Sequence, residues 1–344
     1  MAERPTHVLV IDDSAVVRQT VTAVLQSQGD ISVAVAADPV IALDRIERRR
    51  PDVIILDLEM PRMDGLTFLR KLMNENPIPV IICSGHVEKG SASAFRALED
   101  GAVDLIAKPQ IGIQGFLYES AVLLIDAVRA AAAANPQRHR RPVARLSQRI
   151  GPAGPRLVAI GASTGGTEAI HTILAALPQH MCGIAVVQHM PEMFTKMFAR
   201  RLDDTCAMRV KEAEDGDRIC EGLALIAPGN RHMVIRNANG TLIADLVDGP
   251  LRSRHRPSVD VLFQSVAEAA GDAAVGVILT GMGRDGAEGL LSMRGAGAAT
   301  IAQDAATSVV FGMAKEAIAL GAAEEILPLD EIPKALMTRT RTIA

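Results

Sequence analysis

The sequence predicts an α/β protein built twice over, as two doubly wound parallel-sheet domains in succession. Three observations carry this. Short β-branched runs alternate with longer amphipathic stretches along most of the chain, the alternation is interrupted once by a basic, proline-containing segment, and 344 residues at 49% apolar content suffice for two packed cores.

The first alternation begins at His7. Residues 8–11 precede a helical pattern at 15–28, 33–36 precede 39–49, and 53–56 precede a helix around 66–73. Residues 80–82 then precede a helix around 92–100, and 104–106 lead into a last helix ending near Ala134. Such strand-helix repeats require a parallel sheet covered on both faces, and a flavodoxin-like sandwich is the economical form. Residues 129–156 change character: they hold seven arginines, no acidic residue and prolines at 136, 142, 152 and 155. This reads as a linker, and a solvated basic tether is favoured over a docking segment. From Leu157 the alternation resumes. Residues 157–160, 184–188, 223–227, 275–280 and 300–303 read as buried parallel strands, while 233–246, with Asn239-Gly240 between β-rich flanks, reads as a hairpin. The expected division is therefore 6–128, a linker at 129–156, and a Rossmann-like α/β domain with a β-hairpin insertion at 157–340.

Composition excludes several classes. A net charge of −4 gives no general attraction for nucleic acid or anionic membrane. With 2% aromatic residues and no Trp, stacking platforms for single strands are missing. Cys83, Cys182, Cys206 and Cys220 lie far apart without metal-ligand spacing, which fits a reducing cytoplasm. No segment approaches the roughly 20 apolar residues that span a bilayer, so direct membrane insertion is not expected.

Polar residues fall at the ends of the predicted strands of the first domain. Asp12 and Asp13 follow the first, Asp57 the third, Ser84 the fourth, and Lys108 with Pro109 the fifth. In a doubly wound sheet such positions converge on one crevice. Three crowded carboxylates call for a hard divalent cation such as Mg2+, and Lys108 adds a point charge suited to a phosphoryl oxygen. Residues 8–109 resemble the receiver domain of two-component response regulators. The resemblance implies that Asp57 accepts a phosphoryl group from a histidine kinase, that Asp13, Asp57 and the backbone carbonyl of Glu59 hold Mg2+ with Asp12 close by, and that Ser84 and Lys108 respond to the phosphate. Many receivers carry an aromatic residue where this chain has Leu105, so a switch built on a swinging ring is not expected here.

The second domain opens with G-A-S-T-G-G at 161–166, between a strand and a helix. Glycines let the backbone turn sharply and present amide N–H groups at the positive helix end, the setting a nucleophilic Ser163 needs. Serine requires a base, itself oriented by a third group. His189 directly follows the strand at 184–188, and G-M-G-R-D-G at 281–286 delivers Asp285 to the same edge. The G-x-S-x-G pattern of α/β-hydrolases would place the base after the acid. His232 and His255 are the available residues, but neither directly ends an apolar strand, so Ser163, His189 and Asp285 are preferred. A phosphate- or nucleotide-binding module is the alternative reading of the Gly-rich turn.

D-L-E-M-P-R-M-D-G-L at 57–66, G-A-S-T-G-G-T-E-A at 161–169, Q-H-M-P at 188–191 and G-M-G-R-D-G at 281–286 together resemble the chemotaxis methylesterases of the CheB family. That resemblance implies hydrolysis of glutamate γ-methyl esters on a chemoreceptor, with glutamine deamidation at the same site and no cofactor there. It assigns Ser163 as nucleophile, His189 as base, Asp285 as orienting acid, and Thr164 and Met282 to the reacting carbonyl. It also implies that the unphosphorylated receiver obstructs the esterase until Asp57 is phosphorylated.

Overall fold

A computed structural model describes residues 4–60, 63–85, 90–108, 114–134 and 157–339. His86, Pro109, His139 and residues 135–156, most of the expected linker, lie outside the described residues. The chain divides into two compact units, one up to His139 and one from Arg140.

The first unit runs β1 (Thr6–Ile11), α1 (Ala15–Gln26), β2 (Ile31–Ala36), α2 (Pro39–Arg48), β3 (Val53–Leu56), α3 (Gly65–Glu75), β4 (Val80–Ser84), α4 (Gly90–Glu99), β5 (Asp104–Ala107) and α5 (Gln114–Ala133). Its five strands are parallel in the order β2-β1-β3-β4-β5, the flavodoxin-like arrangement, with the direction of winding reversing between β1 and β3. Helix starts follow local chemistry. Ser14 accepts from Val17 N–H, Asp38 from Val40 and Ile41 N–H ahead of Pro39, and Asp64 from Thr67 N–H. The composition change at 129 is not a structural boundary, because the alanine-rich run keeps α5 helical to Ala133 and Arg129 reaches Asp30 at 3.1 Å.

The second unit continues with β6 (Leu157–Ala162), α6 (Gly166–Ala176), β7 (Gly183–Gln188), α7 (Glu192–Thr205), β8 (Arg209–Glu212), β9 (Asp217–Arg218), β10 (Leu223–Ile226), β11 (His232–Ala238) and β12 (Thr241–Val247). It closes with α8 (Val259–Ala270), β13 (Ala274–Ile278), α9 (Ala287–Gly295), β14 (Ala299–Gln303), α10 (Met313–Ala319), β15 (Glu325–Leu327) and α11 (Ile332–Arg339). Seven parallel strands lie in the order β15-β14-β13-β6-β7-β10-β8. The predicted hairpin is β11–β12, turning through Asn239 and Gly240 at φ 51 and 85 and joined by β9 in a separate antiparallel sheet. Two strands of the large sheet escape an apolar-run search. β8 reads R-V-K-E and β15 E-I-L, because each sits at an edge where one side meets solvent. The winding reverses between β6 and β13, so the crevice of this sheet opens at the ends of β13, β6 and β7.

Candidate active site

Register assembles the first cluster. Ile11 pairs with Leu56, so the residues that follow them, Asp12 and Asp57, stand side by side, and Ser84 pairs with Ala107, directly before Lys108. Carboxylate oxygens of Asp12, Asp13 and Asp57 lie within 4.8 Å of one another, with Asp12 and Asp57 buried and Asp13 exposed. Lys108 Nζ lies 2.7 Å from Asp57 Oδ2 and 2.9 Å from Asp12 Oδ2. Glu59 N–H donates to Asp57 Oδ1 at 3.2 Å, and Lys108 N–H donates to the Ser84 carbonyl at 2.9 Å. Burial pushes the Asp57 carboxyl above its ordinary range, and Lys108 does not fully offset this. One ammonium against three carboxylates leaves negative charge and an all-oxygen donor set, which suits a hard divalent cation. Leu105 is buried on β5.

The second cluster forms by the same device. Ala162 pairs with Gln188, and Ser163 and His189 are the next residue on each strand, with His189 N–H donating to the Ala162 carbonyl at 3.0 Å. Gly165, at φ 76, turns the chain from Ser163 into α6. Ser163 N–H donates to the Thr280 carbonyl at 3.0 Å, tying the serine to the extension of β13. Gly281 lies so near that a Cβ there would stand 2.7 Å from Ser163 Cβ, and Met282 follows it at this edge. Thr164 is buried, its carbonyl accepting from Thr280 Oγ1 at 3.0 Å.

Asp285 accepts from His189 Nε2 at 2.8 Å through Oδ2. It also receives Val259 N–H at 2.7 Å, Ser258 Oγ–H at 2.7 Å and Asp260 N–H at 3.2 Å. These last groups are the N-terminus of α8, so Asp285 caps that helix across space rather than α9, whose own cap is Gly286. Burial alone would raise the Asp285 carboxyl, but the donors from His189, Ser258 and Val259 hold it well below the usual carboxylate range. An ionised carboxylate only accepts, so the proton of His189 sits on Nε2. Its Nδ1, buried and without a hydrogen-bond partner among the described residues, is the basic nitrogen.

Two residues set aside or missed in the sequence belong to this site. His255 stacks on His189 with ring centroids 3.7 Å apart and planes within 5°. Its Nδ1 lies 2.7 Å from the Ser253 carbonyl, which can only accept, so Nδ1 carries the proton. Burial, then the neighbouring His189, pushes the His255 imidazole down to about 3, and it is neutral throughout the physiological range. Gln188 is buried, and its Nε2 donates to the carbonyls of Ser163 at 2.9 Å and His189 at 3.0 Å. A polar residue ending an otherwise apolar strand was the available signal for Gln188. His255 was an available histidine that ends no strand, and a loop brings it in from 66 residues beyond His189 in sequence.

His189, His255 and Asp285 also bring ligand-type atoms within 4.8 Å of one another. Most of this donor set is already engaged, the Asp285 carboxylate by four donors including His189 Nε2–H, and His255 Nδ1–H by a carbonyl. The arrangement is that of a hydrogen-bonded relay beside a hydroxyl, suited to acyl transfer.

Comparison with known proteins agrees with this division of chemistry. Residues 8–113 match the response regulator receiver domain family and residues 158–336 match the CheB methylesterase family. A protein-glutamate methylesterase/protein-glutamine glutaminase of Anaeromyxobacter dehalogenans is 56% identical, covering 98% of both chains. One from Rhodospirillum rubrum is 51% identical over 97% of this chain and 98% of its own. The crystal structure of the Thermotoga maritima CheB methylesterase catalytic domain matches with a TM-score of 0.53 and 41% identity, covering 54% of this chain and 99% of that one. No helix among the described residues is long and apolar enough to cross a membrane. The chain belongs to the CheB methylesterase family, a response-regulator receiver followed by a methylesterase domain.

Proposed function

We propose that this protein hydrolyses glutamate γ-methyl esters on a chemoreceptor, releasing methanol, and that phosphorylation of Asp57 activates it. The observation that carries the reading is the relay. Asp285 holds the Nε2 proton of His189, and the free Nδ1 stands at the end of the strand next to the one that delivers Ser163. In this reading Nδ1 takes the Ser163 proton as Oγ attacks the ester carbonyl, and the imidazolium is stabilised by Asp285. Backbone N–H groups at Thr164 and Met282 receive the oxyanion. Methanol leaves with the proton returned by His189, and water, deprotonated by the same nitrogen, frees Ser163 and the product carboxylate. A glutamine side chain enters the same sequence with ammonia as leaving group, which makes deamidation the second activity and matches the paired names of the relatives.

Asp57 is the phosphoryl acceptor, a histidine kinase the donor, and the cytoplasm the setting. Mg2+ held by Asp12, Asp13, Asp57 and the Glu59 carbonyl would neutralise the phosphoryl oxygens. Ser84 meets the phosphoryl group from the neighbouring strand end, and Lys108 balances its charge. A doubly charged phosphate at this crevice can shift a two-state interface by a few kcal/mol, enough to relieve obstruction of the esterase.

Methanol release from a methylated receptor, measured with and without acetyl phosphate, tests the reading. Acetyl phosphate should raise the rate, Ser163→Ala should abolish methanol release while Asp57 still takes phosphate, and a chain lacking residues 1–140 should show raised basal hydrolysis. Wild-type release by Ser163→Ala overturns the nucleophile, and a folded truncation with unchanged or lower activity overturns the autoinhibition.

A further inference from the structure

The hydrogen-bond ladder between β6 and β7 ends one residue short of the proposed chemistry. Ala162 pairs with Gln188, and the last bond between the two main chains runs from His189 N–H to the Ala162 carbonyl at 3.0 Å. Beyond it the backbone of Ser163 turns elsewhere, its N–H to the Thr280 carbonyl at 3.0 Å and its carbonyl to Gly166 N–H at 2.7 Å. Among the described residues, no backbone bond joins Ser163 to His189. Gln188 supplies a rung in its place. Its Nε2 donates to the Ser163 carbonyl at 2.9 Å and to the His189 carbonyl at 3.0 Å. Carbonyls only accept, so the amide has one possible orientation: the NH2 group, with its two hydrogens, faces the pair, and Oε1 faces away.

Stability alone does not account for this side chain. Oε1 is buried and has no donor among the described residues, which is unfavourable for any amide. Room for it also requires Gly166, where a Cβ would stand 2.1 Å from Oε1 and 2.6 Å from Ala162 Cβ. The rest of β7 is Gly-Ile-Ala-Val-Val, and an apolar sixth residue would leave no orphaned acceptor. Gln303 offers a contrast, because it too is buried at the last position of a strand of the same sheet. Both of its amide atoms are used: Oε1 accepts Thr280 N–H at 2.8 Å and Nε2 donates to the Thr307 carbonyl at 2.9 Å. Gln188 gives up half of its bonding to place one NH2 group between two particular carbonyls.

We propose that Gln188 is a positioning residue, whose single NH2 group ties the main chains of Ser163 and His189 together and so keeps hydroxyl and imidazole in register for proton transfer. The inference rests on the proposed ester hydrolysis and adds how nucleophile and base stay aligned where the sheet no longer holds them. Both bonds end on main-chain carbonyls rather than on the imidazole nitrogens. Their loss therefore lowers kcat through misalignment and leaves KM and the protonation of His189 largely alone.

The test uses the full chain activated with acetyl phosphate, with methylated receptor in membrane vesicles as substrate, well below the thermal midpoint of each variant. Gln188→Met keeps the length and removes the donors, whereas Gln188→Asn keeps a donor on a side chain one methylene shorter. Each should lower kcat about 30- to 100-fold with KM within about twofold. The acid limb of the kcat/KM profile, where His189 takes up a proton, should keep its midpoint while the plateau falls. A folded variant of either kind with kcat near wild type overturns the proposal. So does a loss confined to KM, which would place Gln188 in substrate binding, or a displaced acid limb, which would mean that it acts on the imidazole charge. Failure of both variants to fold would make Gln188 a structural residue and overturn it equally. Failure of the wild-type enzyme to release methanol would instead sink the ester-hydrolase reading.

Discussion

Asp57 and Asp285 are both buried aspartates in the loop that follows a central strand of a doubly wound sheet, yet their carboxyls are pushed in opposite directions. Burial is the largest influence on each and acts in the same sense. What differs is the supply of donors. Asp57 has Lys108, which it shares with Asp12, and one backbone N–H; Asp285 has an imidazole, a hydroxyl and two N–H groups of a helix start to itself. One fold thus yields an under-compensated crevice that gains from taking up cation and phosphate, and a satisfied relay ready to move a proton.

Neutralising each aspartate in turn breaks the comparison most severely. Asp285→Asn should lower methanol release about 10⁴-fold, because an amide cannot hold the Nε2–H tautomer of His189. It should also destabilise the second unit by about 2 kcal/mol, since donors of Ser258, Val259 and Asp260 lose their charged acceptor. Asp57→Asn in a chelating buffer removes one of three crowded carboxylates and should leave the first unit's unfolding midpoint unchanged or higher. Thermal unfolding of both variants, read beside activity, decides this. Equal destabilisation by the two would erase the distinction.

A chelator should separate the two crevices without mutation. EDTA is expected to bring acetyl phosphate-stimulated hydrolysis down to the basal rate and to leave that basal rate untouched, because His189 Nε2 is bonded to Asp285 and His255 Nδ1 to the Ser253 carbonyl. Loss of basal hydrolysis, restored by Zn2+, would make the second crevice a metal centre. A smaller effect is expected at His255. Ala removes the ring that fixes the plane of His189 and should cost about tenfold in kcat, whereas Phe keeps the stack and should retain most activity. Equal loss in both would assign the role to a nitrogen of His255 rather than to its face.

Both sheets and the strand ends carrying Asp12, Asp57, Lys108, Ser163 and His189 were legible in the sequence, because buried parallel strands are continuous apolar runs and polar residues just beyond them have one place to go. Asp285 was legible as a member of the rim but not as a helix cap. That role depends on α8 arriving from elsewhere in the chain. His255 was set aside for ending no strand, a sound criterion for sheet residues that fails for a ring delivered by a hairpin tip. β8 and β15 stayed hidden because edge strands need not be apolar. Local pattern reveals what the sheet dictates, and long-range loops add what it cannot.

The smallest predicted effect probes the donor balance around Asp285 from its neighbour. Asp260 is buried at the second position of α8, accepts Gly289 N–H at 2.7 Å and faces the Asp285 charge. Burial first, and Asp285 after it, push its carboxyl above the ordinary range, against the opposing pull of Gly289. A carboxyl raised on folding stabilises least when ionised, so its unfavourable contribution is absent below the unfolded-state value and grows as pH rises through the folded one. Asp260→Asn keeps an acceptor for Gly289 and removes the charge. It should therefore raise stability by about 1 kcal/mol at neutral pH, with the gain shrinking to nothing on acidification towards pH 4. Denaturant titrations of wild type and variant across that range check the sign. A gain that instead grows towards low pH would mean that Asp260 is ionised at net benefit, and that the crevice around Asp285 carries more positive potential than its donors account for.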